Sequence, residues 1–145
     1  MKTVIHLLDG SLLKGFLDHS EDEFQEAAAR SALAAHVDLR LASGERRHVD
    51  LSAAKALFLV KSFEGQPQYD EVKFFHDAPD IEGLWVRVRF LDREITEGIV
   101  HNSLPFFSNA GFFLKPPDPQ SNNRMIYILK KSLAELQVLG IRNKY

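Results

Sequence analysis

No cysteine occurs in the chain. Disulfides, thiol catalysis and zinc–thiolate sites are therefore excluded, and a reducing cytoplasm is the expected setting. No apolar run approaches the roughly 20 residues that span a bilayer, so no membrane is expected among its partners. His6 and Asp9 interrupt the apolar run at the N-terminus, which is not the pattern of a signal peptide. Strong net charge is lacking too. Eighteen basic side chains meet 20 acidic ones for a formal charge of −2, so the chain is no general polyanion binder. A mild asymmetry lies beneath that average: 8 basic and 12 acidic side chains in residues 1–72, against 10 and 8 in residues 73–145.

Catalytic patterns are missing as well. There is no phosphate-cradling glycine loop, no G-x-S-x-G elbow and no pair of acids at catalytic spacing. His6, His19, His36, His48, His76 and His101 form no HxH or HxxxH pattern and read as loop-edge or surface residues. No enzyme, catalytic residue, metal or cofactor is expected.

What is present is repetition. Leu8, Asp9 and Gly15 fall on Leu91, Asp92 and Gly98 without a gap, and a serine follows each glycine by five residues, Ser20 and Ser103. A second register sets Leu51, Ala56 and Val60 on Leu129, Ala134 and Val138. Internal periods decide architecture, so they come first. The reading is of two copies of one small β unit.

In chain order, alternation predicts strands at Thr3–Leu8 and Leu12–Leu17, with Asp9-Gly10 turning between them. Gly15 inside a strand, and Gly98 in its counterpart, predict a sharp bend. Ser20 through Glu23 is a capping box, and the alanine-rich run behind it predicts a helix over 21–35. Strands follow at 36–42, 46–51 and 56–60, the last apolar on both faces. The second half predicts strands at 84–91, 94–100, 111–115, 124–129 and 133–140, with Pro105 barring a second helix. The expected fold is mainly β: two tandem five-stranded antiparallel barrels of the Sm-like or SH3-like kind, with one helix in the first copy. Residues 1–62 form the first copy, 63–83 a connector and 84–145 the second copy. Tyr69, Val72, Phe74 and Phe75 are too apolar for a free linker, and the connector is expected to pack across the first copy and line a shared apolar seam.

The run Leu51 to Gly65, and Gly111-Phe112-Phe113-Leu114 followed by Pro117-Asp118-Pro119 and Ser121-Asn122-Asn123-Arg124, resemble a functionally uncharacterised family of bacterial domains. The resemblance covers nearly the whole chain. It implies a bacterial protein that occurs alone or beside PilZ-type regulatory domains, hence a binding or regulatory role, and it brings no catalytic residues.

Two groups of residues are candidates for binding. Asp118, Asn122, Asn123 and Arg124 lie in or beside a proline-rich hairpin loop; the first three suit turns, and Arg124 suits a carboxylate or phosphate. Arg46 and Arg47 in one copy, and Lys130 and Lys131 in the other, could line a basic face for RNA or a nucleotide. Asp50-Leu51-Ser52-Ala53-Ala54 after Arg46-Arg47 does not supply the cyclic-dinucleotide motif of PilZ domains. The expected function is thus a non-enzymatic binding or assembly module. Its partner is an unknown protein or, as the alternative, RNA or a nucleotide such as a cyclic dinucleotide. Self-association through exposed strand edges is open to it.

Overall fold

Asp9 and Gly10 turn the chain where the sequence places the turn. Gly10 takes a φ of +90°, and Asp9 Oδ1 accepts a 2.8 Å hydrogen bond from the Ser11 amide. In the computed structural model, which describes residues 1–29, 36–65, 68–80 and 82–142, this turn joins β1 (Lys2–Leu7) to β2 (Leu12–Phe16). Gly15 then lets the sheet fold sharply. A Cβ there would lie 2.7 Å from the Arg40 carbonyl oxygen, so only glycine admits the strand that follows. Ser20 Oγ accepts from the Glu23 amide at 3.2 Å and starts α1 (Glu21–Ala29); the rest of the predicted helix, 30–35, lies outside the described residues.

β3 (His36–Arg40) and β4 (Arg46–Asp50) form the next hairpin. A single 3₁₀ turn, Leu51–Ala53, leads into β5 (Ala54–Val60), buried along its whole length. In the second half, β6 (Gly83–Phe90) and β7 (Ile95–Val100) pair across a turn in which Arg93 takes a φ of +76°. A second helix, α2 (Leu104–Ser108), follows Ser103, contrary to expectation. Pro105 sits in its first turn, where a missing amide hydrogen costs nothing. β8 (Gly111–Leu114), β9 (Asn123–Leu129), a 3₁₀ turn at Lys130–Ser132 and β10 (Leu133–Arg142) complete the described chain.

The fold is mainly β, but its strands form two open sheets rather than closed barrels. Seven strands run in the order β4-β3-β2-β1-β5-β9-β8, and three in the order β10-β6-β7. The reason lies in β9. Ile128, Tyr127, Ile126 and Met125 pair with Ala56, Leu57, Phe58 and Leu59 of β5, so the second half extends the sheet of the first. Leu114 of β8 packs on Gly98 of β7, but the described backbone bonds there are those between Ile99 and Lys115, just past β8, at 2.9 and 3.0 Å.

Alternation along β1, β5 and β9 then divides the interior in two. Val4, Phe58 and Ile126 face Val86, Val88 and Phe90 of the smaller sheet. Ile5, Leu57 and Tyr127 face Phe24 of α1 and Leu39 of β3. Each core therefore takes side chains from both halves, and each such fully buried side chain contributes about 1.5–3 kcal/mol before ordering costs. The seam between halves is this strand pairing, not the connector. Tyr69, Val72 and Phe74 are exposed, and beyond Phe63, which meets Phe16 and Lys14 of the first half, the connector crosses the second half. The Lys73 carbonyl accepts from the Glu97 amide at 2.8 Å, and the Pro79 carbonyl from Arg142 Nε at 3.2 Å.

Candidate functional site

The basic residues singled out in the sequence are held in three places. Arg46 Nη1 lies 2.9 Å from Asp18 Oδ2 and Arg47 Nη2 3.8 Å from Glu45 Oε1, both arginines partly solvated on the outer strand β4. Arg124, near the start of β9, reaches Glu21 of α1 at 3.1 Å. Lys130 and Lys131 follow the other end of β9 and line a hollow of about 460 Å³ with Asp50 and Ser52. Of the five, Lys130 and Lys131 share a hollow, while Arg46, Arg47 and Arg124 each hold a separate acid.

Loop chemistry is spent inside the fold. Asp118 Oδ2 accepts from the Tyr69 hydroxyl and from the Val72 amide at 3.2 Å, and Oδ1 from the Gln120 amide at 2.9 Å. The Tyr69 bond, followed by those amides, holds the Asp118 carboxyl below its ordinary range. Asn122 Oδ1 accepts from the Ser62 amide at 3.0 Å while its Nδ2 donates to the Ser62 carbonyl at 2.9 Å. The Asn123 amide donates to Ser121 Oγ, which itself donates to Glu71 Oε1 at 2.6 Å. This loop clasps the connector at Tyr69, Glu71 and Val72 and the end of the first half at Ser62.

Sequence reasoning missed Glu97. It is buried on β7 with its carboxylate filled by donors: Trp85 Nε1 at 2.9 Å and the Phe75 amide at 3.2 Å on Oε1, Arg87 Nη2 at 2.7 Å on Oε2. Burial opposes its ionisation, yet Arg87, Trp85 and Phe75 outweigh that and hold the carboxyl below the usual range. The signal was available: a turn at Asp92-Arg93 sets Arg87 opposite Glu97.

The open concavity lies elsewhere. A cavity of about 340 Å³ opens where α2, β8, β9 and α1 meet, walled by Phe106, Phe112, Phe113 and Tyr127. Phe106 meets Phe112 edge-on at 5.1 Å, and Phe113 lies 4.9 Å from Tyr127. Gly111 makes that wall possible, because a Cβ there would fall 2.6 Å from the Tyr127 ring. Gln25, His101 and Ser103 supply polar atoms to the lining. Burial pushes the Tyr127 hydroxyl pKa up, so it stays protonated and able to donate. Just outside, Leu104 and Phe107 of α2 are 76% and 63% exposed, and Lys130 Nζ lies 5.7 Å from the Phe106 ring. The volume falls at the small end of ligand pockets. Such a site can stack, bury and hydrogen-bond an apolar or aromatic group. Among the described residues no three His, Asp or Glu side chains gather as a metal-ligand set.

The profile of a family described as "Family of unknown function (DUF6982)" matches residues 1–140. The chain belongs to that family. The DUF6982 match takes in both sheets, the cavity and nearly all of β10. No curated protein and no solved structure matches the chain.

Proposed function

We propose that the chain is a non-enzymatic, protein-binding module of the bacterial cytoplasm, built from two fused Sm-like units, with the aromatic cavity as its binding site. The observation that carries this reading is the cavity itself: a wall of four aromatic rings, open to solvent, beside the uncovered Leu104 and Phe107. Exposed apolar side chains gathered at a concavity mark docking sites. The occupant is an apolar, preferably aromatic, side chain on a partner protein.

Duplication is supported by matching contacts in the two halves. Asp92 Oδ1 accepts from the Glu94 amide at 3.0 Å as Asp9 does from Ser11. The Leu8 amide bonds to Ala53 O at 2.8 Å, the Leu91 amide to Ser132 O at 2.9 Å. Gly98 approaches the Lys115 carbonyl as Gly15 approaches that of Arg40, each with a would-be Cβ at 2.7 Å. These contacts set Leu51 on Lys130, one residue away from the register that apolar alternation suggests.

A second reading, nucleotide or cyclic-dinucleotide binding, is favoured by Lys130 beside the Phe106 ring: a base would stack in the cavity with phosphate on that lysine. Peptide display followed by calorimetry separates the two. Selected peptides should share an aromatic residue and lose most of their affinity for Phe107→Ser and Leu104→Ser, both surface changes. If instead nucleotides bind, with affinity that falls with salt and is lost in Lys130→Ala, the second reading replaces the first. Selection of no peptide and binding of no nucleotide would remove both.

A further inference from the structure

Four sheet edges exist among the described strands, and three of them are dealt with. β7 is covered by the connector, whose Lys73 carbonyl takes the Glu97 amide, and by the Ile99–Lys115 contact, which also closes the end of the four-residue β8. β4 is short and carries Arg46, Arg47 and His48, each matched to an acid of its own chain: Asp18, Glu45 and Asp38. Charges of this kind blunt an edge against further pairing. β10 is different. It is ten residues long, pairs with β6 alone among the described strands, and exposes Val138, Leu139 and Ile141.

Its counterpart shows what such an edge takes. β5 stands to β1 as β10 stands to β6: each follows a 3₁₀ turn, pairs antiparallel and carries a bulge near its start, at Lys55 and at Ala134. The four residues after that bulge are Ala56–Leu59 in one and Glu135–Val138 in the other, where a second bulge at Leu139 precedes the strand end at Arg142. β9 lies along Ala56–Leu59 and reduces Leu59 to 1% exposure. Val138, in the matching place and registered on buried Val86, is 49% exposed. The first bulge therefore does not prevent pairing, and among the described strands β10 has no neighbour in the place that β9 takes beside β5.

We propose that a second copy of the chain supplies it: β10 pairs antiparallel with β10 of another molecule across a two-fold axis, joining two three-stranded sheets into one of six. The candidate β4 of a second copy is disfavoured by composition, since β9 presents Met125, Ile126 and Tyr127 where β4 presents Arg46, Arg47 and His48. Against β10, Arg46 would then face Val138. Self-pairing centred on Gln137 sets Leu136 against Val138 of the partner on the core-facing side, apolar against apolar, and each such pair occurs twice. A two-fold contact also closes on itself, whereas β4-to-β10 pairing would run head to tail into rings or filaments.

The test is the mass of residues 1–145 in solution, by sedimentation at micromolar concentration, with one cross-link. The chain should sediment at twice its monomer mass. Val138→Lys should halve that mass without unfolding the chain, and Ile141→Lys, at a more exposed position, serves if the first variant misfolds. Because the chain has no cysteine, Gln137→Cys should oxidise to a single covalent dimer. A monomeric wild-type chain overturns the proposal. So does a cross-link that forms only when Gln137→Cys is mixed with Arg47→Cys, the outcome of head-to-tail pairing.

Discussion

Arg87 and Glu97 stand opposite each other across the β6–β7 hairpin, with Nη2 2.7 Å and Nε 3.1 Å from the same carboxylate oxygen. The other oxygen holds Trp85 and the Phe75 amide, so one buried carboxylate ties a hairpin to the connector lying over it. Removing that charge leaves a guanidinium, an indole and an amide without their acceptor. Glu97→Leu should cost about 3 kcal/mol and expose residues 73–75 to faster amide exchange, read by chemical denaturation and hydrogen exchange. Unchanged exchange in that segment would show that Glu97 does not hold the connector.

Gly98→Ala should destabilise by about 1–3 kcal/mol through crowding. Its Cβ would sit 2.3 Å from Leu114 Cδ2 and 2.7 Å from the Lys115 carbonyl oxygen, and backbone cannot retreat as a side chain can. Gly10→Ala has open space around it but a φ of +90°, so a milder loss of about 1 kcal/mol is expected from strain alone. Equal melting temperatures for the two variants would contradict the crowding argument.

Acid should loosen the loop around Asp118. Its folded-state pKa is depressed, chiefly by the Tyr69 hydroxyl. The stabilisation is therefore complete above the ordinary carboxylate value of about 3.9 and is lost as pH falls through the folded value. Asp118→Asn should be less stable than wild type near neutrality and show a shallower fall between about pH 5 and pH 2, measured by denaturation at each pH. Parallel acid limbs for the two proteins would dismiss the role given to Asp118.

Coupling between the halves predicts one unfolding transition. Phe58 of β5 lies in the core that faces the smaller sheet, so Phe58→Ala should cost about 3–5 kcal/mol and lower a single calorimetric peak. Phe74→Asp, at an exposed position, should change stability by well under half of that. Two resolved peaks would mean that the halves unfold separately.

Much of the fold was legible because local chemistry decided it. Asp9-Gly10, Gly15 and Gly98 mark turns and bends that only those residues suit, and the wholly apolar Ala56–Val60 announced a strand buried on both faces. Sheet membership was not legible. Whether β9 closes on β6 and β10 or runs alongside β5 depends on long-range pairing that alternation leaves open, since Ile126 and Tyr127 satisfy either. The connector misled for a related reason: Tyr69, Val72 and Phe74 read as buried by hydropathy, but their place is set by backbone and side-chain hydrogen bonds to Glu97 and Asp118. The aromatic cavity was visible only as a density of phenylalanine around α2. Its shape needs Gln25 and Tyr127, which come from opposite halves of the chain.

The alignment of β5 with β9 also sets a schedule for synthesis. β5 is complete at Val60, yet the strand that covers it ends at Leu129, about 70 residues later. At roughly 5–20 residues per second, the ribosome leaves that apolar strand uncovered for about 4–14 seconds. During that interval the nascent chain carries an open edge of its most hydrophobic strand, long enough for a chaperone, or another nascent copy, to reach it first.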